Sequence, residues 1–207
     1  FAAFPHWYAT MFSGFYLPLF LMVTALIVRG VAFEFRSKDR RPIWRATWDW
    51  GIFAGSLVPA LLWGVALGNL LKGVPIDASK TYTGGFFNLL NPYALVAGLM
   101  SLTAFVTHGA IFLNLKTEGV LRERALRATK IVGPIATVFI GLFVIATYLW
   151  TDAFSGLGVD PGLAPVAAVG ALLAAGGVVR AGRVGGAFSM TCGTLAMATS
   201  TIFSALY

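Results

Sequence analysis

The strongest constraint on this chain is the spacing of its charges. Apolar runs of about twenty residues recur along it, and the ionisable residues fall mainly in short blocks between them. A helix of about twenty apolar residues crosses the ~30 Å hydrocarbon core of a bilayer at 1.5 Å per residue. Six such spans are predicted, at residues 12–35, 50–71, 91–115, 131–150, 163–179 and 187–206, with residues 1–9 as the end of an earlier helix. The chain is 58% hydrophobic and 11% charged, where a soluble domain carries about 25% charged residues. The expected fold class is all-α, a polytopic transmembrane helical bundle, with 1–207 as a single transmembrane domain.

The positive-inside rule orients the spans. Arg36, Lys38, Arg40, Arg41 and Arg45 form one block. Lys116, Arg122, Arg124, Arg127 and Lys130 form a second, and Arg180 with Arg183 a third. These are twelve of the fifteen basic residues. The segments 36–48, 116–130 and 180–186 are therefore expected to be cytoplasmic loops, with 72–90 and 151–161 on the outer side. Asn91–Pro92 and Asp160–Pro161 each place a capping side chain before a first-turn proline, a helix-start signal. Gly64 and Gly68 form a GxxxG pair, and Ala167, Ala171 and Ala175 repeat small residues every four. Both patterns allow close helix approach. Trp44, Trp48, Trp50, Tyr82, Phe86 and Phe87 fit an interfacial aromatic belt.

The formal net charge is +7, but its blockwise distribution is a topology signal and not the continuous basic face of a nucleic-acid binder. The single cysteine, Cys192, stands in an apolar run and reads as a small buried hydrophobe. It excludes an intrachain disulfide, a thiolate metal cluster and a CxxCH haem attachment. The chain opens on "FAAFPHWYAT" without methionine and closes on "IFSALY" within an apolar run, which predicts a fragment of a longer protein.

Chemistry is legible only in the polar residues at membrane depth. Such groups cost about 2.5 to 3.5 kcal/mol each at a helix centre. Arg29 lies seven residues before Arg36, about 10 Å inside the basic boundary. His108 lies eight before Lys116, about 12 Å from the same face. Glu34 is nearer the mouth, and Asp49 opens the next helix on the same side. Arg29 and Glu34, five apart, point about 140° from each other and make a poor ion pair along one helix. Snorkelling to the interface is the bland account of Arg29 and Glu34. A hydrogen-bonded packing role is the bland account of His108.

A self-contained bis-histidine haem would need two facing imidazoles. The two histidines are His108 and His6, and His6 sits in a loop-like "PHW" assigned to the outer side. Phosphate-cradling glycine loops, HExxH and nucleophile–base constellations are absent. Taken alone, the residues leave three readings open: a proton- or solute-coupled secondary transporter, a channel, or an accessory or purely structural subunit of a complex.

The segments "FSGFYLPLFLMVTALIVRGVAFEFRSK", "WDWGIFAGSLVPALLWGVALGNLLKGVP" and "YTGGFFNLLNPYALVAG" resemble subunit II of the cytochrome bd quinol oxidases, and "THGAIFLNLKTEG" fits the same family. The resemblance implies a bacterial plasma-membrane complex of the respiratory chain, an oxidoreductase and translocase that oxidises quinol and reduces dioxygen to water with protons taken from the cytoplasm. Haem b and haem d would be held mainly by subunit I, the heterodimeric partner. This chain would ligate none, and no metal or catalytic residue is expected in it. Some members hold a quinone in this subunit or carry small single-helix accessory subunits. Membrane lipids and quinol would be further partners, and nucleic acid none. The family's RxxxF[DE] pattern falls on Arg29, Phe33 and Glu34, so Arg29, Glu34, His108 and Asp49 are the candidate proton-pathway residues. The family's first and last helices would lie outside residues 1–207.

Overall fold

The structure is a computed structural model that describes residues 5–151 and 163–206. The Asp160–Pro161 start and most of the expected outer loop 151–161 lie outside the described residues. Within them the chain forms α1 (Pro5–Gly14), α2 (Tyr16–Phe35), α3 (Pro42–Lys72), a 3₁₀ turn (Phe86–Leu90), α4 (Pro92–Lys116), α5 (Gly119–Trp150), α6 (Ala164–Arg180) and α7 (Val184–Leu206). No strand occurs among the described residues, only an isolated antiparallel bridge between Ile76 and Tyr82. Helices α2 to α5 are each long and apolar enough to cross a membrane, and α6 is a shorter apolar helix. The chain is thus an all-α, multi-pass membrane bundle.

Two compact units divide the chain, Phe1–Gly98 and Leu99–Tyr207, with the division inside α4. In the first, α2 packs on α3 through small residues. Ala32 is wholly buried, facing Gly51 of α3. Farther along α3, Gly68 meets Ala94 and Ala97 at the start of α4, and Gly98 meets Val65 and the Leu61 carbonyl. Buried Asn69 ties the outer connection to this packing. Its Nδ2 donates to the Val65 and Leu89 carbonyls at 2.9 and 2.7 Å, and its Oδ1 accepts from Asn91 at 2.8 Å. Asn91 Oδ1 in turn accepts the Ala94 N–H at 3.1 Å, the expected cap of α4.

In the second unit, Ile111, Ala175, Val179, Val184 and Ala187 form one apolar cluster. Ala136, Ile140 and Leu172 form another. The reversal from α6 to α7 is a Schellman turn. Gly182 takes φ +75°, its N–H donates to Val179 O and the Arg183 N–H donates to Val178 O, both at 3.0 Å. Glycine meets this left-handed backbone without a Cβ penalty.

Three boundaries depart from the sequence expectation. The span foreseen as 12–35 is two helices that part at Phe15. Pro18 explains the break, because its ring cannot coexist with a helical carbonyl four residues back, at Gly14. His6, expected in a loop, lies in the first turn of α1 behind Pro5, where proline is compatible with a helix start. Helices α3 and α5 begin well before the predicted residues 50 and 131, so most of 119–130 is helix and not loop. Hydropathy marks the apolar stretch of a helix, whereas its polar end is set by local signals. Here those are Pro42 at the start of α3 and Gly119, at φ +59°, at the start of α5.

Candidate functional site

The polar residues singled out in the first unit gather where α2 turns into α3. Arg36 follows the last residue of α2, and its N–H donates to the Ala32 carbonyl. Its guanidinium then reaches Asp49 on α3, with Nε at 2.5 Å from Oδ1 and Nη2 at 3.3 Å from Oδ2. Glu34 pairs one turn onward with Lys38 at 2.7 Å, and that bond holds the Lys38 ammonium above its ordinary pKa. Within the turn, Asp39 accepts the Arg41 N–H at 2.9 Å and Arg41 Nε at 2.7 Å. The Arg41 backbone bond, followed by the side-chain bond, keeps the Asp39 carboxyl below its usual range. Both carboxylates of interest, Glu34 and Asp49, are therefore cation-paired and open to solvent. Exposed pairs of this kind add little to stability.

Aromatic side chains floor this cluster. Trp44 Nε1 donates to the Phe35 carbonyl at 2.8 Å, satisfying one of the orphan acceptors at the end of α2. Trp48 meets Trp44 edge-on and Phe35 at a tilt, with ring centroids 5.6 and 5.5 Å away. Its own Nε1 is buried and has no acceptor among the described residues.

Arg29 stands apart from these pairs. It lies within α2, is exposed, and makes no ion pair among the described residues. Its guanidinium sits 5.6 Å from the Phe33 ring centroid, a cation–π contact one turn along the helix. Gly55 of α3 backs it: a Cβ there would meet Arg29 Cβ at 2.7 Å and the Ala25 carbonyl at 2.6 Å.

His108 belongs to the second unit, where α7 fixes its ring. Nδ1 lies 2.9 Å from Thr191 Oγ1, and the ring stacks on Phe188 at 4.9 Å and 25°. The Thr191 hydroxyl donates to Phe188 O at 2.9 Å, so its one hydrogen is spent and His108 Nδ1 must be the donor. Nε2 makes no hydrogen bond among the described residues. The second unit has no other histidine, so its residues do not supply a facing pair of axial imidazoles for a haem.

Sequence reasoning placed Arg29, Glu34 and Asp49 on one helix–turn–helix; the structure keeps Glu34 at the end of α2 and Arg29 farther inside it, but Asp49, expected to open the next helix, lies about two turns inside α3, which begins at Pro42. It missed the Arg36–Asp49 bridge, which spans a turn whose geometry no periodicity encodes. It also missed a second GxxxG, Gly51–Gly55 in "GIFAG". That motif was available in the sequence and marks the face of α3 that meets Arg29.

A family model described as "Cytochrome bd terminal oxidase subunit II" matches residues 1–207. The "Probable cytochrome oxidase subunit 2" of Haemophilus influenzae is 52% identical over 150 residues, 70% of this chain and 39% of that protein. The "Cytochrome bd-I ubiquinol oxidase subunit 2" of Escherichia coli K12 is 48% identical over 142 residues, 67% of this chain and 37% of its own length. The "Cytochrome bd ubiquinol oxidase subunit 2" of Bacillus subtilis is 37% identical over 209 residues, 100% of this chain and 61% of that protein. The chain thus spans 39%, 37% and 61% of these relatives' own lengths. It belongs to the cytochrome bd terminal oxidase subunit II family.

Proposed function

We propose that this chain serves as subunit II of a cytochrome bd-type quinol oxidase in the bacterial plasma membrane, packed against a haem-bearing subunit I. The complex passes electrons from quinol to dioxygen, and the protons that convert dioxygen to water enter from the cytoplasm. This chain ligates no haem. Its basic segments 36–48, 116–130 and 180–186 face the cytoplasm, in keeping with the positive-inside rule. Family membership supports the assembly, as does the description of the relatives as subunit 2 of such oxidases.

The observation that carries a proton role is the state of Arg29, an exposed cation inside a membrane helix with no carboxylate partner among the described residues. A bare charge there needs water or a partner's polar group, which a hydrated route beside subunit I supplies. Glu34 and Asp49 accept protons at the mouth of that route. Arg29 holds water and fixes the local potential without titrating. His108 offers Nε2 as a proton-exchanging atom within α4.

Glu34→Gln in the assembled complex tests this. Size and hydrogen bonding are kept while the exchangeable charge is lost, so quinol turnover slows with haem content intact. Arg29→Lys is milder than Arg29→Met. Normal turnover and proton uptake in Glu34→Gln would leave Glu34 as a helix-end anchor.

A further inference from the structure

The turn between α6 and α7 borders a polar cleft of about 450 Å³ that the proton route does not use. Lys116, Arg122 and Arg183 line it, and none of them makes an ion pair among the described residues. Glu118 is the single carboxylate in the lining, so three positive charges face one negative. Helix α7, 23 residues long, starts here. Its first backbone bond across the cap runs from the Ala187 N–H to Arg183 O. The N–H groups of Val184, Gly185 and Gly186 precede that bond and have no acceptor within the helix. The helix dipole adds a partial positive charge at the same point.

A second observation is independent of the helix start. Asn114, 3% exposed, lines the same cleft. Arg122 Nε donates to its Oδ1 at 3.2 Å. That bond fixes the amide orientation and leaves Nδ2 buried without an acceptor among the described residues. A buried, unsatisfied amide N–H costs about 1–3 kcal/mol, and here the neighbouring cations Lys116, Arg122 and Arg183 make no ion pair among the described residues. Donors outnumber acceptors in this lining, with Glu118 its single carboxylate.

We propose that this cleft is an oxyanion site for a phosphoryl group, held by Arg122, Arg183, Lys116, the first N–H groups of α7 and Asn114 Nδ2. Gly185 suits it: a Cβ there would meet nothing within 4 Å, so the backbone faces open space on that side. The headgroup of an anionic phospholipid and free inorganic phosphate present the same oxygens. A basic helix turn at the end of two apolar helices is where a lipid phosphate would lie.

The test uses the purified, delipidated oxidase complex, titrated with phosphatidylglycerol, phosphatidylcholine or inorganic phosphate and read by native mass spectrometry. Phosphatidylglycerol should be retained in preference to phosphatidylcholine, and Arg122→Gln/Arg183→Gln should weaken it about a hundredfold, each charge-assisted bond supplying roughly a factor of ten. Arg127→Gln, which removes a charge not lining the cleft, should leave it unchanged. Saturation by inorganic phosphate with the same variant sensitivity, but no lipid preference, would assign the site to free phosphate. Equal loss in all variants would reduce it to a diffuse basic surface and overturn the proposal. Should the double variant fail to assemble, amide exchange on the unaltered complex decides. Slower exchange at 184–186 with phosphatidylglycerol or phosphate supports the site, and unchanged exchange with both overturns it.

Discussion

Gly55 on α3 lies directly behind Arg29 on α2: a Cβ on the glycine would stand 2.7 Å from the arginine Cβ and 2.6 Å from the Ala25 carbonyl. The arginine is therefore presented outward by a backbone contact that only a missing side chain allows. Gly55→Ala should force the helices apart and cost about 1–3 kcal/mol of overpacking. In the assembled complex this reads as a lower thermal midpoint and reduced turnover. Gly51→Ala is the matched control, since its Cβ would meet Ala32 Cβ at an ordinary 3.5 Å. Equal tolerance of both alanines would mean that this contact does not set the position of Arg29.

The helical class and the approximate spans were legible because apolar periodicity and charge blocks survive any detail of packing. Ion-pair partners were not. The angle between Arg29 and Glu34 argued correctly that they would not meet, yet nothing in the spacing pointed from Arg36 across the turn to Asp49. Cap chemistry was readable at Asn91, where the side chain and the following proline act within four residues. The break at Phe15 was readable too, from Pro18, but the apolar run concealed it. For His108, sequence gave only depth. Its tautomer depends on Thr191, 83 residues away, and on where that hydroxyl sends its hydrogen.

The proposed topology is open to a direct check. Cysteines introduced at Ser37, in the turn after α2, and at Ser79, in the connection after α3, should react with an impermeant thiol reagent from opposite faces of the membrane. The wild-type background needs Cys192→Ser, because that thiol is exposed. Labelling of both positions from one face would refute the orientation.

The connection after α3 carries a pH-dependent element. Asp77 Oδ1 accepts from Ser79 Oγ at 2.6 Å and from the Thr81 N–H at 2.8 Å. These bonds, the Ser79 hydroxyl first, hold its carboxyl below the ordinary value of 3.8. A carboxyl lowered in the folded state stabilises the loop above its unfolded pKa, and that stability is lost as pH falls through the lowered one. Amides 77–83 should exchange more slowly in wild type than in Asp77→Asn at pH 5. The ratio should converge on one as pH drops well below 3.8. A ratio that stays constant with pH would remove the carboxylate from the loop's stability.

His108 separates two roles that a single substitution can tell apart. Its Nδ1–H is committed to Thr191 Oγ1, whose own hydrogen is spent on Phe188 O, so only Nε2 is free to take and release a proton. A glutamine at 108 can still donate to Thr191 but does not titrate. If His108 serves the proton route, His108→Gln slows quinol turnover, because the amide cannot take and release a proton. Haem content and thermal midpoint stay close to wild type. If His108 only packs, the order reverses. His108→Gln then turns over normally at every pH, while His108→Leu, which leaves Thr191 without its donor and breaks the contact with Phe188, lowers stability by about 1 kcal/mol. Turnover of His108→Gln across pH 6–8, measured against quinol on the intact complex, decides between them, because the two substitutions differ in the donor they keep.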